Sequence, residues 1–136
     1  MKAIMDTGPW VALIDKSESA HEKCLQWFKD FEGEIYSSEA VLTEVLFLLN
    51  FSIKAQKAAI DFIIKSIVEI IPSNHESLVS IKILMEKYSD LPMDFADATL
   101  VSLAQDSGIQ NIITLDSHFG IYRFNKNKSF ILHPTP

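Results

Sequence analysis

Arginine is almost missing from this 136-residue sequence: Arg123 is the only one, and twelve Lys and Arg together face eighteen Asp and Glu. At a formal net charge of −6 the chain is not built to coat nucleic acid by bulk electrostatics, although a local basic patch, or acids neutralised by a bound cation, stays compatible with it. Cysteine is equally scarce. Cys24 alone allows no internal disulfide, fits a reducing cytoplasmic compartment, and in its helical context reads as a small core residue. No apolar run approaches the roughly 20 residues of a membrane span, and the first strand-like run ends at Asp6, too early for the apolar region of a signal peptide. A soluble, cytoplasmic protein with no membrane association is expected. Internal repeats, low-complexity tracts and linkers are also absent, so residues 1–136 are expected to form a single domain.

What is present suffices for one core, since 48% of the residues are hydrophobic. Ala3-Ile4-Met5 reads as a buried strand ending at Asp6 and turning through Thr7-Gly8-Pro9 into a helix from Trp10 to about Asp15. A second helix runs from about Ala20 to Phe31 with Cys24, Trp27, Phe28 and Phe31 on one face, and Gly33 stops it. Ile35-Tyr36 is a brief strand, and Ser37-Ser38 caps a helix on which Val41, Glu44, Val45 and Leu48 share a face. Ile53 to Ile67 reads as a helix, Val68 to Ile71 as a strand, and Ser73 to Tyr88 as a helix with Leu78, Ile81 and Met85 in one row. After the break at Leu91-Pro92, a helix from about Phe95 to Asp106 is capped by Gly108. A strand from Asn111 to Leu115 and an edge strand at Phe130-Ile131-Leu132 complete the pattern. Strands alternating with helices predict an α/β fold with a mainly parallel sheet in three layers.

Five acids carry the chemistry. Asp6 and Asp116 end apolar strands, Glu44 sits in an apolar helical row, and Asp94 and Asp97 open the helix that starts at Phe95. Each has a bland reading, because Asp94 is a natural N-cap, Asp97 suits a helix's first turn, and strand-end aspartates shape turns. Together they mean more. The carboxyl edge of a parallel sheet, where open α/β folds bind ligands, collects both strand-end aspartates and the starts of the helices that follow strands. Carboxylates converging there repel one another in a partly desolvated cleft, and Glu44 on an apolar face needs a cation or a strong donor. Hard divalent cations, Mg²⁺ or Mn²⁺, meet that need with oxygen ligands. Phosphoryl transfer to metal-activated water is the reaction that such a site performs without a histidine or cysteine nucleophile.

The other chemistry-bearing residues are weaker candidates. His21, His75, His118 and His133 have no zinc spacing and read as surface or capping residues, His118 being the exception to watch because it lies two residues past Asp116. Asp6-Thr7-Gly8 matches the aspartic-protease triplet by chance, since helices surround it where that motif needs an all-β context. Arg123, Lys126 and Lys128 form the local basic run, with Tyr122 and Phe124 interleaved. It reads equally as an RNA-binding strip that holds phosphates and stacks a base, or as a solvated C-terminal loop.

Asp6 followed by Thr7, Glu44 preceded by Thr43, the Asp97-Ala98 helix start, and Thr114-Leu115-Asp116 followed by Phe119 stand in a telling order. In that order and spacing the chain resembles the PIN-domain family, and within it the VapC-type toxin ribonucleases of prokaryotes, over nearly its whole length. The resemblance implies a PIN-like three-layer α/β/α sandwich and Mg²⁺- or Mn²⁺-dependent endoribonuclease activity on RNA. By the same resemblance Asp6, Glu44, Asp97 and the more variable Asp116 are the catalytic, metal-holding acids. Asp94 is a further candidate ligand, and Thr114 and Thr7 support the acids beside them. A homodimer and inhibition by a small antitoxin are implied as well, the antitoxin often inserting a basic residue that the acidic chain would welcome. The lone Arg123 departs from what strong RNA binding wants, leaving phosphate contacts to lysines and backbone.

Two other readings compete. One is a catalytically inactive PIN-like module that binds RNA or a partner without cutting. The other is a receiver-type phosphotransfer domain, which needs an acid ending a middle strand, whereas Val68 to Ile71 runs into Pro72.

Overall fold

The computed structural model describes residues 1–135, so Pro136, the end of the expected 1–136 domain and its proline tail, lies outside the described residues. Its centre is a five-stranded sheet in the order β3-β2-β1-β4-β7, formed by β1 (Lys2–Met5), β2 (Glu34–Ser37), β3 (Val68–Ile70), β4 (Asn111–Ile113) and β7 (Ile131–His133). All four pairings are parallel. The middle strands are apolar without alternation because both faces are covered: Ala3, Ile4, Met5, Ile112 and Ile113 are all buried.

Six helices flank the sheet: α1 (Thr7–Ile14), α2 (His21–Asp30), α3 (Glu39–Leu48), α4 (Ile53–Ile64), α5 (His75–Lys87) and α6 (Phe95–Ser107). Helix α1 packs on α2, α3 and α4, while α6 packs on α5 and α3, which gives the α/β/α sandwich expected from the pattern. Trp10 of α1 and Phe28 of α2 both stack against Phe62 of α4 on one side of the sheet. On the other, α6 is buried along almost its whole length from Ala96 to Ala104.

The helix starts follow from their caps. Ser38 accepts from the Val41 N–H, Ser52 from the Ala55 N–H, and Asn74 exchanges hydrogen bonds with Ser77. Gly108, at φ 78°, closes α6 in the left-handed conformation that glycine adopts at least cost.

Several boundaries and faces differ from expectation. α1 begins at Thr7, with Pro9 already inside its first turn, and α4 stops at Ile64 because Ser66 turns the chain at φ 60°. On α3 the inward row is Val41, Val45 and Leu49, so Leu48 points outward; on α5 it is Ile81 and Leu84, so Leu78 is exposed. An i, i+4 row and its i+3 neighbour both look helical in sequence, and the packing partner selects between them. β4 ends at Ile113 rather than Leu115.

The C-terminal segment is part buried and part solvated, with Asn125 to Ser129 exposed. After a short 3₁₀ turn at Ser117–Gly120, an antiparallel hairpin pairs β5 (Arg123–Phe124) with β6 (Lys128–Ser129), and Tyr122, Phe124 and Phe130 are buried.

Candidate active site

The parallel pairing of β1 with β4 sets Met5 beside Ile113, so the next residues, Asp6 and Thr114, emerge side by side at the carboxyl edge of the sheet. The Asp6 N–H donates to the Ile113 carbonyl at 2.9 Å, and the Thr114 hydroxyl donates to Asp6 Oδ2 at 2.8 Å. The same hydroxyl oxygen accepts the Asp116 N–H at 3.0 Å, so one threonine ties the first acid to the fourth. Asp6 is the N-cap of α1, yet its side chain makes no cap hydrogen bond.

Glu44 arrives from α3 and accepts from the Thr7 hydroxyl at 2.9 Å, which links the start of α1 to the middle of α3. Asp94 and Asp97 form a capping box: Asp94 Oδ1 accepts the Asp97 N–H at 2.9 Å, and Asp97 Oδ2 accepts the Asp94 N–H at 3.3 Å. Asp116 caps the 3₁₀ turn by accepting the His118 N–H at 2.9 Å, and the His118 Nδ1 lies 3.3 Å from the same oxygen. The bland reading of Asp94, Asp97 and Asp116 as caps therefore holds, while leaving a lone pair or a second oxygen on each.

Electrostatics join these acids into one group. Burial pushes the Asp6 carboxyl up to about 6, the hydrogen bonds from Thr114 and Thr7 pull against it, and the charges of Asp116 and Glu44 push it higher. Asp97 is pushed up to about 8 by burial, then by Asp94 and Asp6. Glu44 is raised by burial, lowered by Thr7 and raised again by Asp94. Each of the five acids thus acts on another or is acted on by one, although they come from four separate stretches of the sequence.

The PIN-domain family model matches residues 3–125. The chain belongs to the PIN-domain family. Among solved structures, VapC20 of Mycobacterium tuberculosis, described as a sarcin-ricin loop cleaving toxin, is similar over 91% of this chain and 97% of its own, at 22% identity and TM-score 0.82. VapBC2 of Rickettsia felis, bound to a DNA fragment from its promoter, is similar over 98% of both chains at 19% identity and TM-score 0.64. FitAcB of Neisseria gonorrhoeae is similar over 85% of this chain and 88% of its own at 15% identity and TM-score 0.61. At these identities the likeness is one of fold. No curated protein matches the chain in sequence.

In this PIN domain, among the described residues, no three His, Cys, Asp or Glu side chains are gathered closely enough to close around an ion unaided. The donor set nevertheless suits a hard cation. Every acid offers oxygen, burial and then the neighbouring acids already raise Asp6 and Asp97, and Mg²⁺ keeps several waters so that one or two carboxylates can hold it.

Three further features were not legible in the residue pattern. The Ser38 hydroxyl meets the Thr99 hydroxyl at 2.7 Å, and Thr99 donates to the Ala96 carbonyl at 2.6 Å, so a buried chain of hydroxyls anchors the first turn of α6 to the start of α3. Tyr122 is fully buried with no hydrogen-bond partner at its hydroxyl, and its ionisation is suppressed by burial and then by Asp97, Asp116, Asp94 and Asp6. Its ring, like that of Phe124, is buried and not open for stacking on a base, contrary to the strip of interleaved rings that the sequence suggests. Arg123 Nη1 is folded back onto the Gly120 and Tyr122 carbonyls at 2.8 and 2.9 Å, while Lys126 and Lys128 are exposed.

Proposed function

We propose that this PIN domain is a metal-dependent endoribonuclease that hydrolyses phosphodiester bonds in RNA and serves as the toxin of a type II toxin-antitoxin pair. The observation that carries the reading is the electrostatic union of Asp6, Glu44, Asp94, Asp97 and Asp116 at the carboxyl edge of the sheet. Family membership and the fold shared with a sarcin-ricin loop cleaving toxin support it.

Asp6, Glu44, Asp97 and Asp116, with Asp94 as a further ligand, would hold Mg²⁺ or Mn²⁺, which supplies charge neutralisation for the phosphate and acidifies an attacking water. The protein's own groups do the rest. Thr114 and Thr7 hold one carboxylate oxygen each of Asp6 and Glu44, so the acids keep their orientation when a substrate arrives. Hydrolysis forms a P–O bond to water and breaks the bond to a ribose oxygen, so one proton leaves the nucleophile and one reaches the leaving oxygen. Both protons exchange with solvent water, while Asp97, fixed by its capping box with Asp94, would help to hold the cation. Tyr122, buried within the field of Asp97, Asp116, Asp94 and Asp6, sets an apolar ring beside the acids, which strengthens their charge interactions.

A small antitoxin and a second copy of the chain are the proposed partners. Phe47, Leu48, Phe51, Ile53 and Ile64 on α3, α4 and the turn between them are exposed and offer apolar surface for one of them. Among the described residues no helix is long and apolar enough to cross a membrane, and a cytoplasmic location is proposed with the toxin role.

The capping box is the observation that favours the second reading, a module that binds RNA or a partner without cutting, since it occupies Asp97 with structural work. Incubating the protein with structured and unstructured RNAs in Mg²⁺, Mn²⁺ or EDTA, beside Asp97→Asn, separates the two. Cleavage that requires both cation and Asp97 upholds the nuclease; RNA retention with no cleavage in any cation upholds the binding module.

A further inference from the structure

The basic groups at the far end of α6 do not lie scattered over the surface. Lys87 at the end of α5, Arg123 of β5 and Lys126 at the hairpin tip line one cleft of about 280 Å³ together with the amides of Gln105, Asn125 and Asn127, and no carboxylate lines it. In a chain of net charge −6 that is a strong local inversion of sign.

The cleft is held in shape from several sides. Asn125 Nδ2 donates to the Gln105 carbonyl at 2.9 Å, pinning the hairpin to α6, and the Arg123 guanidinium is oriented by the Gly120 and Tyr122 carbonyls. Asn125, Lys126 and Asn127 all have positive φ, at 38°, 54° and 73°. A tight hairpin turn requires positive φ, which asparagine tolerates, and that turn sets Lys126 at the tip. Lys128, counted with the basic run in sequence, is not among the lining residues, while Lys87, far away in sequence, is.

The cleft is also in register with the acids. Gln105 follows Asp97 by eight residues on the same helix, about 12 Å along its axis. Tyr122, within the field of the acids, is followed directly by Arg123 on the cleft wall.

We propose that this cleft is a subsite for a phosphate of the single-stranded RNA substrate, removed from the scissile bond and gripped by Lys87 and Lys126, with Arg123 on the same cleft wall. The proposal rests on the nuclease reading for the identity of its ligand, but it is a statement about binding and can fail independently. Lysine charge with flanking amides suits a phosphodiester oxygen, and the absence of an accessible ring in the cleft means that strand position, rather than base identity, is what it reads.

The test uses the full chain carrying Asp97→Asn, without divalent cation, and a fluorescein-labelled oligouridylate followed by anisotropy across a salt series. Lys87→Ala with Lys126→Ala is expected to weaken binding at least tenfold. It should also flatten the slope of log affinity against log salt by about 0.7, the value for one single-strand phosphate contact. Lys87→Arg with Lys126→Arg should restore most of both. Lys54→Ala with Lys57→Ala, on exposed positions of α4, should change neither. Unchanged affinity and slope in the Lys87 and Lys126 double variant, or an equal loss in the Lys54 and Lys57 control, overturns the subsite. Cleavage assays in the Asp97-containing protein keep the two readings apart. A raised KM at constant kcat in the double variant supports the subsite, whereas absence of cleavage in every cation with the binding effect intact overturns the nuclease and leaves the cleft standing.

Discussion

Asp6 and Thr114 show how much a single hydroxyl controls at the sheet edge. Thr114 donates to the buried Asp6 and accepts from Asp116, so Thr114→Val removes both bonds with little change of volume. Loss of a hydrogen bond to a buried charged group costs about 2 kcal/mol, and the melting temperature measured by scanning calorimetry should fall accordingly. RNA cleavage should fall with it, because Asp6 loses its orientation. Asp97→Asn is expected to move stability the other way. It removes a carboxyl that burial and its neighbours Asp94 and Asp6 push up to about 8, while an amide oxygen can still accept the Asp94 N–H. A variant that melts higher than the parent at pH 8.5 and cleaves no RNA would bear out both halves; one that retains cleavage would remove Asp97 from the mechanism.

At the scale of elements, α3 and α6 are the two helices whose starts must be held relative to β1 and β4 for the acids to meet. Ser38 does this twice, as the N-cap of α3 and as the partner of Thr99 on α6. Ser38→Ala should therefore cost more than an isolated cap, which is worth about 1 kcal/mol, and lower the melting temperature by about 4 °C or more in a domain of this size. A purely local cap would leave kcat alone; the link to α6 predicts that kcat falls while KM for a short RNA holds. The hairpin β5–β6 belongs to this scale too. Its inward aromatics pack into the core while its tip carries Lys126 to the cleft that Lys87 of α5 also lines.

For the molecule as a whole the acid cluster is a load on the fold. Asp6 at about 6 and Asp97 at about 8 both lie above the ordinary carboxylate value of 3.8, so between those pH values the folded chain binds more protons than the unfolded one. Stability therefore falls as pH rises through that window. The penalty is absent below about pH 4, complete for Asp6 somewhat above pH 6 and complete for Asp97 above pH 8. For the buried Asp6 alone, a rise from 3.8 to about 6 amounts to about 3 kcal/mol. Chemical denaturation at pH 5.5 and 8.5 should show the protein weaker at the higher pH. Added Mn²⁺ should restore more stability there than at pH 5.5, and EDTA should abolish the difference it makes. A cation effect equal at both pH values would mean that the ion binds away from these acids.

The fold class, the strand-helix alternation and the caps at Ser38 and Gly108 were legible in the chain because each depends on local pattern. The acids were nominated for a related reason: a carboxylate ending an apolar strand or entering an apolar helical row contradicts its surroundings, and that contradiction is visible without coordinates. Which of two adjacent helical rows turns inward was not, so Leu48 and Leu78 face outward, selected by partners far away in sequence. The fate of Tyr122 and Phe124 was likewise undecided, since aromatic residues between basic ones suit a stacking surface and a buried hairpin equally well. Only the packing of the hairpin on α6 put the rings inside and brought Lys87 to Lys126. Composition and periodicity determined the layers and nominated the acids. The convergence of Asp6, Thr114 and Asp116, of Ser38 with Thr99, and of three cations on one cleft was decided by tertiary structure, because each joins residues that no local interaction places together.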